Sequence, residues 1–249
     1  MKIIEIIAEM AAPQYIHRRR KYYHGTSTES AARGIMEKGI KPQVYTSKRQ
    51  LTPVSGRAYV TGELGYALMY ALGGDFAGHD VSHHLKNSSK DRYGYVFVVK
   101  GTELGDIQPD EDSVGEVIAH ILQWNSTPKE KRDLKQIGKY WSASDIKLFK
   151  NILKDSNAFS QLSQLANYDV TDNQKKKLLD GEYGYYAQVG KKLVKKMSDE
   201  LKLKLIKFGM HVANEGTMIP SEVWRVDKFR SAELKKDGSN FFDIAERIK

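Results

Sequence analysis

Tyr22-Tyr23-His24-Gly25-Thr26-Ser27 and, further on, Ala58-Tyr59-Val60-Thr61 running to Tyr70 decide how this chain of 249 residues is read. The first stretch reads as a short apolar strand ending in a histidine, with a glycine and two hydroxyl side chains directly after it. The second reads as another short strand, then a helix that carries a tyrosine on its cleft-facing side. A histidine, a glycine that permits close approach and two tyrosines are the parts of a pocket for a flat, aromatic, phosphate-bearing ligand.

Working outward, Thr28 to Lys38 has the marks of a helix. Thr28 can cap it, Glu29 suits its positive end, and Ala31, Ala32, Ile35 and Met36 recur at helical spacing. Gly39 supplies the stop. Residues 43–57, with Pro53, Ser55 and Gly56, read as a loop over the cleft, and Arg57 to Thr61 is strand-forming. A helix from about Glu63 to Leu72 follows, with Leu64, Ala67, Leu68 and Ala71 on one face, and Gly73-Gly74 ends it. Tyr93 to Gly101, nearly continuous in apolar character, is the strongest strand and is expected at the centre of a sheet. Asp75 to Arg92 before it is polar and punctuated by glycine. Its His79, His83 and His84 have a spacing that suits a metal on a helix, but no acid or cysteine completes a set.

Beyond the central strand, Asp110 to Asp112 suits the start of a helix that runs to Trp124. From Ser126 to Leu205 the chain is helical, polar and lysine-rich, with helical spacing over 142–153, 160–165 and 189–205. Lys207 to Gly216 and Thr217 to Val226 read as two strands joined by a turn. Ser231 to Lys249 reads as a helix or tail.

The formal net charge is +9 and the pI about 9.4, which favours a polyanionic partner. Many of the lysines, among them Lys191, Lys192, Lys195 and Lys196, sit at helical positions where they also serve as a solvated face. Zero cysteines exclude disulfides, zinc–thiolate sites and cysteine nucleophiles together. No apolar run approaches the roughly 20 residues of a membrane span, so no membrane partner is expected. Tyr183, Tyr185 and Tyr186, interleaved among the lysines, suit either packing or nucleic acid.

The order Tyr-His-Gly-Thr-Ser, helix, Gly-Ile, loop, Tyr-Val-Thr, then Tyr70-Ala71 resembles the ADP-ribosyltransferases of the diphtheria-toxin and PARP type. Tyr59 and Tyr70, eleven positions apart, match that family's tyrosine pair. The resemblance implies an α+β fold of split antiparallel β-sheets with flanking helices and a helical insertion. It divides the chain into an arm at 1–21 and a domain at 22–249, with the insertion at about 111–205. It implies NAD+ as co-substrate, His24 on the adenosine ribose, and the Gly25 backbone on the nicotinamide carboxamide, with Thr26 in the Ser/Thr position that follows. Tyr59 and Tyr70 would line the nicotinamide ring. The family's catalytic glutamate, counted back from Ile219-Pro220, falls near Met210 or His211, where this chain has none. Glu215 is the first candidate, on a strand face shared with His211, and Glu116 and Glu222 are the others.

The implied activity is transfer of ADP-ribose to a macromolecule, a host protein or a nucleic acid. Two other readings compete. One is a non-enzymatic basic protein that binds packaged DNA. The other is an RNA 2′-phosphotransferase, whose second histidine and two cleft arginines have no assigned counterpart here. Finally, Met1 to Glu9 resembles the short tags of T-even-like phage internal head proteins, with Ile7-Ala8-Glu9 as a prohead-protease site. That implies a virion protein delivered to host cytoplasm.

Overall fold

The computed structural model of the chain describes residues 20–42, 56–73, 91–105, 107–235 and 238–248. The proposed tag, most of the 43–57 loop and His79, His83 and His84 lie outside them. In chain order the elements are β1 (Lys21–Thr26), α1 (Glu29–Lys38), β2 (Ala58–Val60), α2 (Leu64–Ala71), β3 (Tyr93–Lys100) and β4 (Ile107–Pro109). Then come α3 (Glu111–Ser126), α4 (Leu134–Ile137), α5 (Ala143–Lys154), α6 (Ser156–Gln164), a π-helical turn (Leu165–Asp169) and α7 (Asp172–Leu179). The chain ends with α8 (Tyr183–Val194), α9 (Asp199–Phe208), β5 (Val212–Asn214), β6 (Glu222–Asp227), α10 (Phe241–Ile244) and β7 (Glu246–Ile248). The class is α+β with two antiparallel sheets. Described residues fall into two compact units, 20–42 with 58–105 and 214–248, and 56–57 with 107–213.

The first unit is built on the antiparallel sheet β1-β3-β6-β7. As the apolar run requires, β3 is central, and Gly94 to Val99 are all buried. Residues directly opposite each other in a sheet share a face, so the register sorts the side chains. Tyr23, Val98 and Glu222 stand in one row across β1, β3 and β6, and Gly25, Val96 and Trp224 in another. That face carries α2 and α10, which bury Ala67, Leu68, Ala71 and Phe241 against Val96 and Val226. Fully burying a side chain the size of Leu68 or Phe241 contributes roughly 1.5–3 kcal/mol.

Two glycines let α2 lie so close. A Cβ on Gly25 would sit 1.9 Å from the Ala67 carbonyl oxygen, and one on Gly94 would sit 2.0 Å from that of Ala71. α1 forms as its sequence dictates, with the Thr28 hydroxyl accepting from the Ala31 N–H and Gly39 leaving at φ 75°. Ile40 then pairs with Met218.

The second unit is helical around Ile118, Ile121, Phe149, Leu162, Leu193 and Leu201. Here too glycines set the closest crossing. A Cβ on Gly115 would meet the Tyr186 carbonyl at 2.1 Å, and one on Gly190 the Glu111 carbonyl at 1.7 Å, so α3 and α8 interlock backbone to backbone. Polar caps divide the lysine-rich run. Ser142 and Asp145 form a capping box at α5, as Thr171 and Gln174 do at α7.

Three expectations are corrected. The helical spacing over 189–205 is broken between α8 and α9, because Ser198 caps a new helix by accepting from the Leu201 N–H. Lys207 and Phe208 belong to α9, whose buried stripe of Leu201, Leu205 and Ile206 carries it to the left-handed Gly209 at φ 115°. The strand expected there shrinks to β5, which is in the second, smaller sheet while β6 is in the first, so the two do not form a hairpin. The C-terminal segment is neither a plain helix nor a tail, since β7 pairs with β6 through Val223–Ile248 and Arg225–Glu246.

Candidate functional site

The Tyr-His-Gly stretch lies on the outer strand of the first sheet. Tyr23 donates its N–H to the Thr61 carbonyl at 2.7 Å and accepts from the Thr61 N–H at 2.9 Å. Backbone groups of an antiparallel strand point alternately to its two sides. Tyr23 therefore faces away from β3, and so does Gly25, two residues on. β2 does not follow it there. The Tyr59 carbonyl, which would lie opposite Gly25 if the ladder continued, accepts instead from the His24 imidazole, with Nδ1 and oxygen 2.9 Å apart. Among the described residues no backbone hydrogen bond joins Gly25 to β2. The ladder stops after Tyr23 and Thr61, which leaves the Gly25 N–H and C=O without a backbone partner on β2 among the described residues.

His24 is fixed in a single form. Burial pushes its pKa down, and the Tyr59 carbonyl only partly opposes this, so the ring is neutral at pH 7. A carbonyl partner requires a proton on Nδ1, which leaves Nε2 as an acceptor. Thr26 ends β1 opposite Tyr95, on the same face as His24.

α2 brings the tyrosines. Its buried side rests on Gly25, while Tyr70, 36% exposed, stands on a flank beside Tyr66. These two rings are 5.4 Å apart and tilted by 60°, with their hydroxyls at 3.5 Å. Tyr66 escaped the sequence reading. Its signal was there, a second tyrosine one helical turn before Tyr70.

The three acids are placed differently. Glu222 opens β6, in the row that contains Val98 and Tyr23. It accepts from the Trp224 indole N–H at 3.2 Å and from the Lys21 ammonium at 3.3 Å. Burial works to raise its pKa, but these two bonds, with the charges of Lys21 and Arg247, hold it below the usual value, so it is ionised at neutral pH. Beside it a cavity of about 480 Å³ is lined by Pro220, Ser221, Glu222, Val223, Arg247 and Ile248. That volume falls within the roughly 300–1,000 Å³ of ligand pockets.

Glu215 occupies an exposed bend after β5, and His211 precedes that strand, so the strand face they were expected to share does not form. Glu116 lies in the other unit, on α3. Burial and the charges of Asp145, Asp110 and Asp112 push its pKa up to about 8, which leaves it protonated at pH 7.

Among the described residues no group of three or more His, Cys, Asp and Glu could hold a metal ion. No described helix is long and apolar enough to cross a membrane. No protein-family model, curated protein or solved structure matches this chain.

Proposed function

We propose that the chain transfers ADP-ribose from NAD+ to a macromolecule and releases nicotinamide, on an ADP-ribosyltransferase-like fold. The observation that carries this reading is the open Gly25 edge of β1 beside a neutral, half-buried His24. A primary carboxamide is both donor and acceptor in one plane, and one N–H next to one C=O on a strand edge matches it. His24 Nε2 accepts from a hydroxyl of the adenosine ribose. The Tyr59 and Tyr70 rings line the nicotinamide, where an aromatic face favours the cationic ring of NAD+.

We assign the acid to Glu222 rather than Glu215. Glu222 is ionised, anchored from two sides and in the row of Tyr23, on the sheet face that Gly25 also lines, whereas Glu215 is on an exposed bend. Its carboxylate would hold the 2′-hydroxyl of the nicotinamide ribose and stabilise positive charge as the glycosidic C–N bond breaks. The bonding pair leaves with nicotinamide, which departs neutral. An acceptor nucleophile then bonds the ribose C1′ and loses its proton. Head packaging through the Ile7-Ala8-Glu9 tag, with action in the host, belongs to the same proposal.

The test is incubation of the full chain and a cell lysate with NAD+ labelled in its adenylate half. We expect a labelled macromolecule and free nicotinamide from the native chain. His24→Ala and Glu222→Gln should abolish both, while Glu215→Gln should leave them. No nicotinamide release and no labelled product would refute the reading.

A further inference from the structure

A second built surface lies wholly within the helical unit. Three lysines converge on the π-helical turn Leu165–Asp169. The Lys175 ammonium donates to the Asn167 carbonyl at 3.1 Å, Lys192 donates to the Asp169 carbonyl, and Lys196 pairs with the Asp169 carboxylate. These bonds fasten a short π-helical turn. It carries Tyr168, 86% exposed, a large aromatic side chain held in water on a braced turn. Beside it opens a cavity of about 300 Å³ whose lining includes Gln161, Gln164, Lys196 and Ser198. Lys176, Lys192, Lys195 and Lys196 are exposed nearby in sequence, on α7 and at the end of α8.

An exposed aromatic plane, side-chain amides in an adjoining cavity and several ammonium groups make a combination with a specific fit. The plane stacks on a base, the amides reach a base edge, and the ammonium groups meet phosphates. A duplex hides its base faces and has no use for the tyrosine. An acidic peptide would use the lysines but neither the ring nor the cavity.

We infer that this face, with Tyr168 at its centre and Lys192 and Lys196 on its rim, binds single-stranded nucleic acid, one base stacking on Tyr168. The surface is independent of the NAD+ site, and its test contains no NAD+.

The test is fluorescence anisotropy of the full chain with a labelled oligothymidylate about 16 nucleotides long, against a duplex of equal length and against polyglutamate. The single strand should bind most tightly. Tyr168→Ala should weaken it roughly tenfold, the loss of one stacked base, while leaving duplex binding unchanged. Tyr168→Phe keeps the ring and should keep the affinity. Lys192→Gln with Lys196→Gln should lower the slope of log affinity against log salt by about 1.4, two phosphate contacts on a single strand. Far-ultraviolet circular dichroism of Tyr168→Ala and Tyr168→Phe should match that of the native chain, since Tyr168 is solvent-facing. Absence of binding, equal binding of duplex or polyglutamate, or an unchanged affinity in Tyr168→Ala would overturn the inference.

Discussion

Gly25→Ala tests whether α2 is seated on the backbone of β1. The added Cβ would lie 1.9 Å from the Ala67 carbonyl oxygen and 2.9 Å from the Ala71 nitrogen, both main-chain atoms that cannot rotate away. To restore an ordinary contact, α2 must move by about 1.5 Å, which loosens its buried Leu68 and Ala71 and shifts Tyr70. Overpacking of this kind costs about 1–3 kcal/mol, and at roughly 2–4 °C per kcal/mol the melting temperature should fall by about 2–12 °C. Gly34→Ala is the matched control. Gly34 lies inside α1 with no atom within 4 Å of an added Cβ, so there alanine should stabilise by about 0.5–1 kcal/mol. The assay is thermal unfolding by calorimetry, with hydrogen exchange of residues 58–73 to show that α2 itself has loosened. Equal melting temperatures for Gly25→Ala and the native chain, with unchanged exchange, would refute the close seating.

Gly190→Ala should be more disruptive than Gly181→Ala, because its Cβ meets the Glu111 carbonyl at 1.7 Å while Gly181 faces open space and is strained only by its φ of 75°; chemical denaturation would rank them. Acid titration has a defined sign. Burial depresses the pKa of His24, of His211 to about 4 and of His120 to about 3, so stability present above about pH 6.5 should be lost as pH falls toward 3, as a pH series of melting temperatures would show. Glu116 acts in the opposite sense. Its pKa near 8 means the native state keeps a proton that the unfolded chain gives up near pH 4.5. Glu116→Gln should therefore match the native chain at pH 4 and gain on it by at most about 1.4 kcal/mol for each pH unit toward 8. A gain that does not grow with pH would contradict the half-buried neutral acid.

Local chemistry was legible where neighbours in sequence decide it. The Thr28 cap and Gly39 stop of α1, the two-sided burial of β3 and the start of α3 at Asp110 all follow from residues within a turn of the feature. The division between α8 and α9 was missed because Met197 is buried at the corner and keeps the apolar spacing running through it. The strand expected from Lys207 begins only at Val212 because Leu201 and Leu205 find their core in the helical unit, where Phe208 also packs, and this prolongs the helix. The position of the proposed acid was obscured for a related reason. Counting residues from Ile219-Pro220 assumed a hairpin, whereas Glu222 faces Val98 and Tyr23 only through pairing of β6 with β3, across more than 120 positions of sequence.

The central claim is that the Gly25 backbone reads the carboxamide of NAD+. His24-Gly25 is the one His-Gly pair in the sequence, so labelling His at the carbonyl carbon and Gly at the amide nitrogen isolates a single amide signal. On addition of NAD+, and of nicotinamide alone, that signal should move downfield and saturate as the N–H gains an acceptor. A Gly25 signal that stays in place at saturating NAD+ would contradict the account.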